Sequence, residues 1–209
     1  MQKTGLYALL AILIFALIFA FLPGADRGGA KTDATLQGVE LRLFPSRDAD
    51  AVWSFSARNV SSNPVSNETL LTGISGGKRV VRERGADGKL TGRETLDATL
   101  DAPDLTIDGQ DDITTRQARI TLVKQCANIL MKGTPDNPVK IEQGYGFTAP
   151  VAEISSPNVN GHAEKLRMTF NFVSEDMDNA QSTTTYDLDA STTCRDGKII
   201  PVGSQAPNQ

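Results

Sequence analysis

Beyond residue 38 the chain repeatedly alternates apolar and polar positions with a period of two, the pattern of strands with one face in a core. Val39, Leu41 and Leu43 alternate with Glu40, Arg42 and Phe44, and Trp53, Phe55 and Ala57 alternate with Ser54, Ser56 and Arg58. Leu96, Ala98 and Leu100 form a third run. Leu166, Met168, Phe170 and Phe172 form the clearest, with four large apolar side chains expected on one face. Turn chemistry separates the runs: Asn63-Pro64, Gly76-Gly77, Asp87-Gly88, Asp108-Gly109, the stretch from Gly133 to Pro138, and Asn160-Gly161. Strands punctuated at such spacing predict an all-β sandwich, jellyroll or open roll.

Residues 113–131 fit two patterns. Ile113, Gln117, Ile120, Val123, Ala127 and Leu130 lie near one helical stripe, with Asp112 as a cap and Gly133 just past the end. The β-branched residues Thr114, Thr115, Ile120, Thr121 and Val123 favour a pair of strands instead.

The N-terminus has a different pattern. Leu6 to Leu22 is a run of seventeen residues without a charge. As a helix it would span roughly 26 Å, near the lower limit for crossing a bilayer. It is longer than a usual signal-peptide core, and Pro23 lies close to the nearest small-residue site. This predicts a retained anchor over residues 1–22, with a cleaved signal peptide as the alternative. A linker is expected over 23–37, a β-domain over 38–194 and a flexible polar tail over 195–209.

Composition narrows the chemistry. The net charge is −4 and basic residues are not clustered, which argues against nucleic acid as a partner. His162, the single histidine, sits in a turn sequence and is a weak catalytic candidate. Gly73-Ile74-Ser75-Gly76-Gly77 matches the G-x-S-x-G string but lacks the strand-to-helix context that a serine hydrolase needs, so a hairpin turn is the simpler reading. Asp108, Asp111 and Asp112, and Glu175, Asp176 and Asp178, lack calcium-loop spacing, and two cysteines with one histidine give no zinc signature. No metal, cofactor or catalytic residue is therefore expected, and the chain reads as a non-enzyme. Cys126 and Cys194 either pair or remain thiols; spacing alone leaves this open.

The order of parts resembles the LptC-like, OstA-type family of lipopolysaccharide-export proteins. Similar to one family repeat are Asn128 to Gly133, then Pro138 to Glu142, then Gly144 to Ala149; Ile113 to Leu122 resembles the preceding strand pair, and Val52 to Ala57 and Glu68 to Leu71 the first strands. The resemblance covers about residues 5–175 and rests on layout. The long turn from Gly133 to Pro138 and the Thr- and Asp-rich segment 175–194 depart from it. It implies one N-terminal transmembrane helix followed by an open β-jellyroll of stacked antiparallel hairpins. It further implies a single-pass inner-membrane protein whose C-terminal domain lies in the periplasm. Its partners would be the membrane subunits of an ABC transporter, a further OstA-like β-roll and an amphiphilic envelope lipid. The lipid-groove candidates are then Trp53, Phe55, Leu105, Ile107, Ile120, Leu122, Ile141, Phe147, Leu166, Met168, Phe170 and Phe172. The alternative is a β-sandwich binding or assembly module with a sealed core; alternation is identical in both.

Overall fold

A computed structural model describes residues 34–187, 189 and 191–202. Every regular element among them is a strand: β1 (Ala34–Leu43), β2 (Ala51–Asn63), β3 (Glu68–Arg84), β4 (Leu90–Asp101), β5 (Asp104–Ile107), β6 (Ile113–Thr115), β7 (Gln117–Leu122), β8 (Ala127–Lys132), β9 (Val139–Glu142), β10 (Gly146–Ser155), β11 (Val159–Thr169), β12 (Ser174–Asp176), β13 (Thr183–Tyr186), β14 (Thr192–Arg195) and β15 (Lys198–Pro201). All pairings are antiparallel. Residues 113–131 are therefore strands β6, β7 and most of β8, as the β-branched residues favoured.

Two long strands organise the sheets. The N-terminal part of β3 pairs with β5 and its C-terminal part with β4. β10 likewise pairs with β9 and then with β8. One side consists of β4, β7 and β8, the other of β5, β6 and β9, and β3 and β10 join them into a ring of eight strands. β3 can serve both sides because Gly73 and Gly76 take left-handed backbone, each with φ of 64°, which costs glycine little. β10 changes partners around Pro150, which has no N–H to donate to a ladder. Lys165, near it on β11, has φ of 51°. Outside the ring β2 and then β1 stack on β3, and β11 followed by β12 and β13 stacks on β10.

The core fills the space between the two sides. Ile107, Ile113, Ile141, Phe147 and Met168 form one cross-strand row. Leu100, Ile120, Ile129 and Ile154 form another. Both rows belong to a single apolar cluster, where fully burying each large side chain is worth about 1.5–3 kcal/mol. Cys126, in the turn after β7, is bonded to Cys194 in β14, with Cα atoms 5.6 Å apart. This ties the separate β14–β15 hairpin to the rest; its second strand, Lys198–Pro201, falls in the stretch expected to be tail.

Two expectations are corrected. The open jellyroll is a closed ring, because β3 and β10 hydrogen-bond to both sides. Periodicity could not show this, since it reports which way a side chain points and not which strand lies alongside. The second is the N-terminal transmembrane helix, with the single-pass inner-membrane placement and periplasmic domain drawn from it, which finds no support among the described residues. Among the described residues no helix is long and apolar enough to cross a membrane, and the run Leu6 to Leu22 lies outside them.

Candidate functional site

The residues most distinctive in chemistry gather where the ends of the two sides meet. From β2, Trp53 and Phe55 point inward and stack with ring centroids 5.8 Å apart. Phe170, just past β11, lies 6.2 Å from Trp53 and 6.1 Å from Phe147 of β10. The Trp53 indole N–H donates to Gln143 Oε1 at 3.0 Å, satisfying its one polar atom inside the core.

Above these rings sits a buried charge cluster. Arg79 is the β3 partner of Trp53 and shares its inward face. Its guanidinium lies 4.2 Å from the centre of the Phe170 ring. It pairs with Asp97 of β4 and, at 2.5 Å, with Asp48. A buried arginine needs such partners to offset its desolvation. On the other side of the ring Asp112 is 1% exposed and accepts from Arg47, from Lys140 at 3.0 Å and from the Gln143 backbone N–H at 3.0 Å. Burial pushes the Asp112 carboxyl up, but the Gln143 N–H and the Lys140 and Arg47 charges outweigh it and hold the group below the usual carboxylate range. Asp112 in turn raises Lys140.

Both clusters are joined by one loop. Residues 44–50, between β1 and β2, send Arg47 to Asp112 at the β5–β6 turn and Asp48 to Arg79 on β3. The Ala49 carbonyl accepts from Arg82, and Asp50 pairs with Arg84 at 2.7 Å. The loop thus straps one side of the ring to the other, and its Pro45 is buried. A Cβ on Gly144 would come within 2.4 Å of the Arg47 carbonyl oxygen, so the strap lies directly on that glycine. Beside it runs a surface depression lined by Leu41, Leu43, Thr69, Ile107, Asp108 and Asp111.

The groove candidates all fall inside the structure's single core. Trp53, Phe55, Leu105, Ile107, Ile120, Leu122, Ile141, Phe147, Leu166, Met168 and Phe170 are buried together, and Phe172 is half-buried against them. Alternation misplaces two details. Leu96 is exposed because a register shift at Arg79 and Val80 turns it away from Ala98 and Leu100. Phe170 and Phe172 belong to a turn, not to strand β11, and Phe172 has φ of 64°.

The other sequence candidates separate. Ser75 lies in the β2–β3 ladder opposite Ser56. His162 lies on β11, with Nδ1 2.7 Å from Glu153 and Nε2 3.8 Å from Glu164. Asp108 folds the β5–β6 turn by accepting from the Gln110 and Asp112 N–H groups. Asp178 pairs with Lys165 at 2.8 Å, and Glu175 with the Tyr145 hydroxyl. Among the described residues no three His, Cys, Asp or Glu side chains group as a metal site. Sequence reasoning missed Arg79 and the strap and singled out Asp112 only as a cap or turn carboxylate, since no motif marks a charge that becomes buried only through distant partners. The composition P-S-R-D-A-D between two strands was the one signal available.

No known protein family and no curated protein matches the chain.

Proposed function

We propose that the chain is a non-enzymatic β-roll of the LptC-like, OstA-type kind. It shelters the alkyl chains of a lipopolysaccharide-like amphiphile and stacks strand edge to strand edge with a similar roll. The observation that supports this is an apolar interior running from β2 to β11 between two terminal strand edges, β1 at one end and β12 and β13 at the other. Edges of this kind pair readily with another sheet. Half-buried Val39, Leu41 and Leu43 on β1 extend the apolar face toward that edge. In this reading the membrane subunits of an ABC transporter supply the energy, and this chain changes no covalent bond.

The ring's closure favours a second reading, a sealed binding or assembly module that uses the same edges without lipid. Photo-crosslinking from Leu36 on β1 and Tyr186 on β13, together with mass spectrometry of organic extracts of the purified protein, separates the two. Adducts on a similar roll or a transporter subunit, with co-purified amphiphile, are expected. Adducts without any amphiphile would leave the module, and the absence of both adducts and amphiphile would overturn both readings.

A further inference from the structure

The β14–β15 hairpin is joined to the roll by little besides a covalent bond. It shares no ladder with the large sheet, and none of its residues belongs to the apolar core. Packing holds it weakly: Ile199 is 58% exposed and Val202, just past the hairpin, 61%. Local pattern builds it. Asp196 and Gly197 both take left-handed backbone, with φ of 51° and 74°, the two-residue turn that suits antiparallel strands. Two such strands alone are marginal in water. The hairpin meets the roll at the β7–β8 turn, where Cys194 is bonded to Cys126 and Gly197 lies on Val123. A Cβ on that glycine would come within 2.6 Å of Val123 Cγ1.

The two sulfurs differ in access. Cys126 is 8% exposed. Cys194 is half-buried and lines a surface depression with Gln125, Asn158, Val159 and Phe172. An incoming thiolate therefore meets Cys194 first. The chain before the hairpin is held independently, since the Asp187 N–H donates to the Asn158 carbonyl at 3.0 Å. Breaking the bond thus frees Thr192–Pro201 and leaves the pairing of β11 with β13 in place.

We propose that the Cys126–Cys194 bond is a thiol-exchange site: a dithiol oxidoreductase opens it while the roll stays folded, and the hairpin then leaves the β7–β8 turn. The reductant's thiolate bonds to Cys194 Sγ. The Cys126–Cys194 bond breaks, and its electron pair leaves on Cys126 Sγ, which takes up a proton. The reductant's second thiol then displaces Cys194 as a free thiol and closes the reductant's own disulfide. The chain gains a pair of electrons and a pair of protons. Release uncovers Val123 and the Phe172 side of the depression, a surface presented only by the reduced form. The inference is independent of the amphiphile reading.

The test uses the oxidised full chain in native buffer, with a catalytic amount of thioredoxin and dithiothreitol as its electron source. Iodoacetamide labelling read by mass spectrometry should show both cysteines reduced about tenfold or more faster than with dithiothreitol alone. Amide exchange across Thr192–Pro201 should rise about tenfold or more, while β2, β7 and β8 keep their protection. Removing the reductant and adding oxidised glutathione should restore the original pattern. No acceleration by thioredoxin would overturn the exchange site. Loss of protection in β2, β7 and β8 on reduction would make the bond a staple of the whole fold and overturn the proposal. Reduction with no rise in exchange over the hairpin would overturn its release.

Discussion

Asp112 provides the sharpest quantitative check on the buried charges. In Asp112→Ala the buried Gln143 N–H loses its acceptor, at a cost of about 1–3 kcal/mol. Lys140 and Arg47 are 38% and 45% exposed, so water recovers most of their loss and each pair counts for about 0.2–1 kcal/mol. The expected destabilisation is about 2–4 kcal/mol, or a Tm fall of about 5–15 °C for a domain of this size. Asp112→Asn keeps a carbonyl oxygen for the Gln143 N–H and should lose only about 1 kcal/mol. Urea unfolding at pH 7, followed by tryptophan fluorescence from Trp53, measures both. Because the folded-state pKa of Asp112 is depressed, its contribution is fully present above the unfolded value of about 4. It is lost as pH falls through the lower, folded value. Below pH 4 the wild type should therefore lose stability more steeply than Asp112→Asn. Equal stability of the Ala and Asn variants, or a cost for Ala under about 0.5 kcal/mol, would refute the assignment of a buried, hydrogen-bonded carboxylate.

Three other outcomes are expected. Phe147→Ala, which empties a fully buried site in the Ile107–Met168 row, should cost about 3–5 kcal/mol in the same urea assay; a loss below about 1 kcal/mol would place that ring outside the core. Cys194→Ser should raise amide exchange across Thr192–Pro201 by about tenfold or more and leave β7 and β8 unchanged, because β14 and β15 share no ladder with the large sheet; uniform loss of protection would contradict a local role. The hydrogen bond to Glu153 raises the His162 pKa above 6.5, so its small stabilisation is complete below the unfolded midpoint and lost as pH rises through the folded one. NMR should place the midpoint above 6.5, and Glu153→Gln should lower it; no change on that substitution would refute the pairing.

Much of the fold was legible in local pattern. Alternation identified the inward faces of β1, β2 and β11; Asn63-Pro64, Asp87-Gly88, Asp108-Gly109 and the stretch from Gly133 to Pro138 marked breaks between strands, whereas Gly76-Gly77 and Asn160-Gly161 lie inside β3 and β11. The candidates Phe55 and Ile141 were recognisable as interior because each stands between two polar neighbours in a strand. Leu96 and Phe172 escaped the same rule, one through a register shift and the other through a left-handed turn, and period-two counting registers neither.

By itself, then, the sequence determined the class of element and which side chains avoid water, because both depend on neighbours one or two residues away. Only the tertiary structure decided that the roll closes, that Arg79 and Asp112 are buried as partnered charges, and that residues 44–50 bind one side to the other. Those outcomes turn on contacts between residues 31 and 65 positions apart, Asp48 with Arg79 and Arg47 with Asp112. Charges so far apart in the chain find each other only after β3, bent at its glycines, and β10, which changes partners around Pro150, have brought both sheets together.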